Sequence, residues 1–335
     1  MRPAFRPELA NGAWGDPVLY VDFLHERRAL LFDLGDLTAL PARKLLAVSH
    51  VFVSHAHLDH FAGFDRLLRL LTGRARTLQL FGPEGFAERV GHRLAGYTWN
   101  LASELAHELT LVVAEVPERG AGARARFRLS TGFAREPLPS ATYPDGRLVA
   151  EPGFTVHTAV LDHRTPCLAF ALAETEHIDI WRNRLEQRGL ATGDWLRGLK
   201  RALHEGRPGD HPVPVAWREP GPDRPATLPL GELAAAVVSR RRGQKIAYVV
   251  DVLGNEANAR RIARLARGAD RLYMEAAFAG ADAERAAATH HLTAPQAGAI
   301  ARRAGVGELV PCHFSPRYGD DPERLRHEAL AAFGG

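Results

Sequence analysis

Two hydrophobic periods alternate along the chain. Short apolar runs that end at a turn residue read as buried strands, and stretches with apolar positions three and four residues apart read as helices. Residues 29–36 form a run of the first kind, broken by Asp33 and Gly35. Residues 51–54 form another, and after it Phe61, Phe64, Leu67, Leu68 and Leu71 recur at helical spacing. Residues 54–60 therefore fall on a strand-to-helix loop. A strand and turn are expected over 77–83 and a helix over 84–95. Residues 109–160 hold several short β-like runs separated by Gly and Pro, which suggests a mostly antiparallel region. Residues 168–173 read as one more strand.

The pattern then changes. Residues 174–231 are polar, rich in Arg, Gly and Pro, with one clear helical stretch at 195–204. They read as an arm inserted into a single domain spanning 1–335. The last third alternates cleanly. Strands are expected over 245–250, 271–274 and 308–311, followed by Asp251, Glu275 and His313 respectively. Helices are expected over 255–267, 293–304 and 324–333, the second opening on Thr293 and Gln296 at capping-box spacing. Strands with flanking helices make this an α/β protein of layered type.

Composition changes the picture little. The chain has 335 residues, 46% of them hydrophobic and 24% charged, as in ordinary globular proteins. No run approaches the ~20 apolar residues of a membrane span. The N-terminal residues lack the apolar core of a secretory signal, so a cytoplasmic protein is expected. Two cysteines, Cys167 and Cys312, are too few for a disulfide framework and are expected as buried free thiols. A net charge of +4 is too mild to mark a nucleic-acid binder by itself.

The histidines are more informative. His55, His57, Asp59 and His60 occupy four of six consecutive positions after an apolar strand, a density that packing rarely produces. His163, Asp251 and His313 also follow strand-like runs. Loops at strand ends can converge on one edge of a sheet, so these seven residues can meet. Imidazole and carboxylate both ligate zinc. The His-x-His spacing lets two imidazoles grip one ion, Asp59 and His60 turn toward a second, and a carboxylate such as Asp251 can bridge them. Manganese or iron also suits such donors.

The segment Ser54-His55-Ala56-His57-Leu58-Asp59-His60 resembles the signature motif of the metallo-β-lactamase superfamily. Residues 161–170, in which His163 is followed after five residues by a small residue and an aromatic, resemble the ribonuclease Z branch, the tRNA 3′-processing endonucleases. Met274-Glu275-Ala276 is similar to that branch's His-Glu-Ala motif, and His290-His291-Leu292-Thr293 to its Gly-His-Ser-Ser/Thr motif. The family's opening Leu-Gly-Thr-Ser and the Gly-Pro signature of its arm are absent. The resemblance implies an αββα four-layer sandwich with an inserted arm, and two zinc ions. His55, His57, His163 and Asp251 would hold the first ion; Asp59, His60, Asp251 and His313 would hold the second. It further implies catalytic roles for Asp59, His291 and Glu275, a precursor tRNA substrate gripped by residues 174–231, a homodimer, and no membrane association. The alternatives are a hydrolase of small phosphodiesters and a non-catalytic RNA-binding relative.

Overall fold

The computed structural model describes residues 4–24, 26–219, 221–321 and 323–335. Eight strands form the first sheet in sequence order: β1 (Phe5–Leu9), β2 (Leu19–Phe23), β3 (Ala29–Phe32), β4 (Val48–Phe52), β5 (Arg76–Pro83), β6 (Leu109–Val116), β7 (Gly122–Arg128) and β8 (Arg135–Ala141). Strands β3 to β6 run parallel, and the outer pairs are antiparallel. The second sheet contains β9 (Arg147–Glu151), β10 (Phe154–Asp162), β11 (Pro166–Glu174), β12 (Lys245–Val249), β13 (Arg271–Glu275) and β14 (Leu309–Cys312), in the order β14-β13-β12-β11-β10-β9. Strands β12, β13 and β14 are parallel.

Strand alternation explains the layers. Leu31, Val51 and Val53 point to an outer face covered by helices Phe64–Leu71 and Phe86–Ala95. Phe32 and Phe52, one residue out of phase, point the other way and meet Phe170 of β11, each at 5.6 Å between ring centres. Tyr248 of β12 lies 6.0 Å from Phe32 in the same seam. On the far side, Ala247, Val249, Leu272 and Met274 pack beneath helices Glu256–Ala266, Ala294–Ala304 and Arg324–Gly334. Each sheet is thus buried on both faces, which is why its central strands read as unbroken apolar runs. The layers are helix, sheet, sheet, helix.

By internal packing the chain forms two compact units. The larger contains Phe5–Leu148, His157–Ala171 and Lys245–Gly335; the smaller contains Val149–Val156 and Leu172–Gln244. The expected helix over 195–204 is present as Trp195–His204, but two others flank it in the smaller unit, Arg182–Gln187 and Leu230–Val237. The first buries only Leu185, and the second is nearly all apolar, so neither carries a clear 3.6-residue pattern. Leu185, Leu190, Leu199, Leu233 and Val237 give this unit its own apolar cluster. Helix Ala283–Thr289, rich in alanine, also escaped the sequence pattern. The Thr293–Gln296 capping box is present, and both cysteines are free and buried. No helix among the described residues is long and apolar enough to cross a membrane.

Candidate metal centre

The site sits where the parallel strands of both sheets end, all within the larger unit. Carboxyl ends of parallel strands are the usual place for ligands in α/β sheets. Asp33 follows β3, Ser54 to His60 follow β4, and His163 follows β10. Asp251 lies just beyond β12, Glu275 closes β13 and His313 follows β14. His291 follows helix Ala283–Thr289. Asp59 and His60 belong to a four-residue helix, Leu58–Phe61, whose N-cap is His57. This tight turn separates the His55–His57 pair from the Asp59–His60 pair.

Asp251 is at the centre. Its Oδ2 lies 3.3 Å from His55 Nε2, 3.2 Å from His60 Nε2 and 3.5 Å from His163 Nε2. Its Oδ1 lies 2.7 Å from His313 Nδ1. Asp59 Oδ2 faces His60 Nε2 at 3.4 Å and His313 Nε2 at 3.5 Å. Donor atoms of His55, His57, His163 and Asp251 form one group within metal-coordinating reach of each other. Those of Asp59, His60 and His313 form a second, and those of Asp251, Glu275, His291 and His313 a third. All seven metal-ligand candidates, with Glu275 and His291, are therefore brought together.

Two features fit these residues to metal ions. His55 Nε2 and His60 Nε2 are buried without a well-aligned hydrogen-bond partner, as are Asp251 Oδ1 and His313 Nδ1 although they lie 2.7 Å apart. Buried polar atoms are otherwise almost always paired. Second, three histidines are already held through Nδ1: His60 against Asp33 at 2.9 Å, His163 against the His290 carbonyl at 2.8 Å, and His55 against the Ser54 hydroxyl at 3.1 Å. That arrangement fixes each ring and leaves Nε2 facing the site, as metal-binding imidazoles require.

The charges follow the same geometry. Burial would raise the Asp251 carboxyl, yet His313 and His60 beside it hold it well below the usual carboxylate range. Asp59, half-buried, is also lowered despite its burial, through His313 and His60. Burial lowers His57 and His163, favouring the neutral imidazole that binds metal. His291 is raised: burial opposes its charge, but Glu275 at 2.8 Å outweighs it.

The sequence pattern marks Asp33 only as a residue that breaks an apolar run, and its partners are not visible there. Fully buried, Asp33 accepts from the Ser54 main chain at 2.6 Å, from the Ser54 hydroxyl at 2.9 Å and from Tyr248 at 2.9 Å. Cys167 donates to the Val250 carbonyl at 3.3 Å and touches His55 Nδ1 at 3.8 Å. Trp14 packs edge-on against Phe314 at 5.0 Å, and Phe314 N donates to the Ala13 carbonyl, so the β1–β2 loop supports His313. No local pattern announces these contacts, because each joins residues far apart in the chain. Gly35 allows another: a Cβ there would lie 2.6 Å from the Asp59 carbonyl. The backbone is also bent to purpose. Of seven non-glycine residues with positive φ among those described, Asp33, Arg164, Asp251, His290 and His313 lie at or beside this centre. Such residues cost about 1–3 kcal/mol each and collect where a site must be shaped.

No family model matches the chain. Among curated proteins, it is 37% identical over 308 residues to the ribonuclease Z of Deinococcus radiodurans, an alignment covering 91% of this chain and 88% of that protein. This chain belongs to the ribonuclease Z family. The ribonuclease Z of Thermobifida fusca is 35% identical over 315 residues, covering 91% of this chain and 81% of the relative. Among solved structures, the metallo-beta-lactamase fold protein YhfI from Bacillus subtilis superposes with a TM-score of 0.54 at 18% identity, covering 99% of this chain and 94% of that one. Human tRNase Z, short form, gives 0.53 at 18% identity, with 94% and 93% coverage. The fold is the metallo-β-lactamase fold. As a ribonuclease Z family member, the chain is a hydrolytic endoribonuclease with a metal-binding site.

Proposed function

We propose that this ribonuclease Z relative cleaves precursor tRNA on the 3′ side of the acceptor stem, using two zinc ions. The observation that carries the reading is the convergence of seven metal-ligand candidates on Asp251, with the Glu275–His291 pair beside them. His55, His57, His163 and Asp251 would hold one ion; Asp59, His60, Asp251 and His313 would hold the other. Bound divalent ions lower the pKa of water and clamp the attacking and leaving oxygens of a phosphodiester. Manganese or iron suits the same donors.

The chain's own residues do the rest. Asp59, whose side chain is 43% exposed, orients the attacking water and takes its proton. His291, 20% exposed, has Nδ1 engaged by Glu275, which leaves Nε2 for the substrate. It stabilises the phosphoryl oxygens and returns a proton to the departing 3′-oxygen as the P–O3′ bond breaks. Glu275, itself 0% exposed, positions His291. The enzyme works in the cytoplasm as a homodimer.

Residues 174–231 grip the tRNA. The arm's own ion pairs guide which cations we assign to this role. Arg188, Arg197 and Arg207 face Glu232, Asp194 and Glu205, and Arg184 lies over the Trp181 ring. Burial lowers Lys200. Arg182 and Arg201, both exposed, have no ion pair or ring contact among the described residues and are left for phosphate.

The deciding experiment incubates the metal-loaded protein with a precursor tRNA and sizes the products. A mature-length tRNA with a released 3′ trailer is expected. Uncut precursor, with hydrolysis of a small diester such as bis(p-nitrophenyl) phosphate, would move the substrate to small phosphodiesters.

A further inference from the structure

Two exposed side chains stand next in sequence to ligands of the centre. Leu58 stands between His57 and Asp59 and is 77% exposed, more than any other large hydrophobic residue among those described. Its neighbours in sequence turn inward to the metal centre, and it turns out. Arg164 follows His163 and is exposed. Its guanidinium has no ion pair, hydrogen bond or ring contact among the described residues. Its backbone, in contrast, is firmly held. Arg164 N donates to Asp162 Oδ1 at 3.0 Å, His163 N donates to the Thr165 carbonyl at 3.1 Å, and Arg164 has φ of 60°. The imidazoles preceding these two residues touch, with the rings of His57 and His163 5.4 Å apart. An apolar side chain and a free cation thus flank the same opening.

We propose that Leu58 and Arg164 form a rim that holds the nucleotide next to the scissile phosphodiester. This rests on the endonuclease reading above. Arg164 binds the neighbouring phosphate, for which the guanidinium fork is well matched. Leu58 covers the adjoining ribose or base and so removes apolar surface from water. A polymer must cross this rim to bring an internal phosphate to the metal centre, whereas a small diester ends at the centre itself. The rim therefore discriminates RNA from small esters, and it acts on binding rather than on the chemical step.

The test compares wild type, Arg164→Gly, Arg164→Lys and Leu58→Ala on precursor tRNA and on bis(p-nitrophenyl) phosphate, with metal content measured for each. Glycine adopts positive φ readily, so Arg164→Gly keeps the turn while removing the cation. The expected result is a KM for precursor tRNA raised about tenfold, with kcat changed less than about twofold. The slope of log(kcat/KM) against log salt should become shallower by about one. Arg164→Lys should recover part of the loss, and Leu58→Ala should raise KM about threefold. Losses on the small diester should be clearly smaller. An unchanged KM and salt slope overturns the rim and leaves the endonuclease reading intact. Equal losses on both substrates, or reduced metal content, also overturn it by making these residues supports of the metal loops. A wild-type protein that leaves precursor tRNA uncut overturns the endonuclease reading and the rim's ligand with it.

Discussion

Glu275 Oε2 lies 2.8 Å from His291 Nδ1, and its other oxygen, Oε1, accepts from the main chain of Val252 at 2.7 Å and of Leu292 at 3.3 Å. The carboxylate is thus fixed at one end and directs the imidazole with the other. His291→Ala should leave metal content near normal and lower kcat on precursor tRNA by about 10²–10³. Glu275→Gln should lower kcat less, by roughly tenfold to a hundredfold, because the amide keeps the main-chain contacts but loses the charge. Single-turnover rates with metal analysis check both. Unchanged turnover in His291→Ala would remove it from the mechanism.

His60→Ala and Asp251→Ala probe the ligand assignment. Each removes a group that faces several others across the centre. Both variants should bind less metal in equilibrium dialysis and lose hydrolysis of bis(p-nitrophenyl) phosphate. Full activity in both would sink the two-ion centre.

Asp33 gathers donors from Ser54, His60 and Tyr248 in a fully buried position. Asp33→Ala should weaken metal binding by roughly 10–100-fold, because His60 loses the partner that aims it. Tyr248→Phe removes a single donor and should cost about 1 kcal/mol, read as a lowered midpoint in urea. A Tyr248→Phe variant as unstable as Asp33→Ala would show that the seam between the sheets, not the carboxylate, governs the effect.

Metal removal should destabilise the protein beyond the loss of activity. Stripped of ions, the centre keeps His55 Nε2 and His60 Nε2 buried without a well-aligned hydrogen-bond partner. A metal at a thousandfold its dissociation constant adds about 4 kcal/mol to stability. Thermal melts with chelator and with restored zinc should differ accordingly. Coincident melts would argue against tight binding.

Arg182 and Arg201 are the cations of the proposed tRNA grip without an ion pair among the described residues. Replacing both with Glu should raise KM for precursor tRNA and flatten its salt dependence, with little change on bis(p-nitrophenyl) phosphate. Equal KM values would place the tRNA grip elsewhere.

Much of this protein was legible in the linear chain. The motif from Ser54 to His60 declared a metal hydrolase because the relevant ligands lie within one turn of each other. The strand endings at Asp251, Glu275 and His313 were visible because buried parallel strands are apolar until the residue that leaves the sheet. Tertiary structure alone decided the rest. Tyr248 is a strand residue by pattern, and only the stacking of two sheets aims its hydroxyl at Asp33, 215 positions away. Arg188 meets Glu232, 44 positions away, and Arg218 meets Glu186, 32 positions away, pairings that only the folded arm creates. The left-handed turns at Asp251, His290 and His313 carry no glycine to announce them. Periodicity records which face of an element is buried. It does not record what lies across the interface, and the partners of Asp33, the arm's free cations and the open rim at Leu58 and Arg164 are all facts about what lies across.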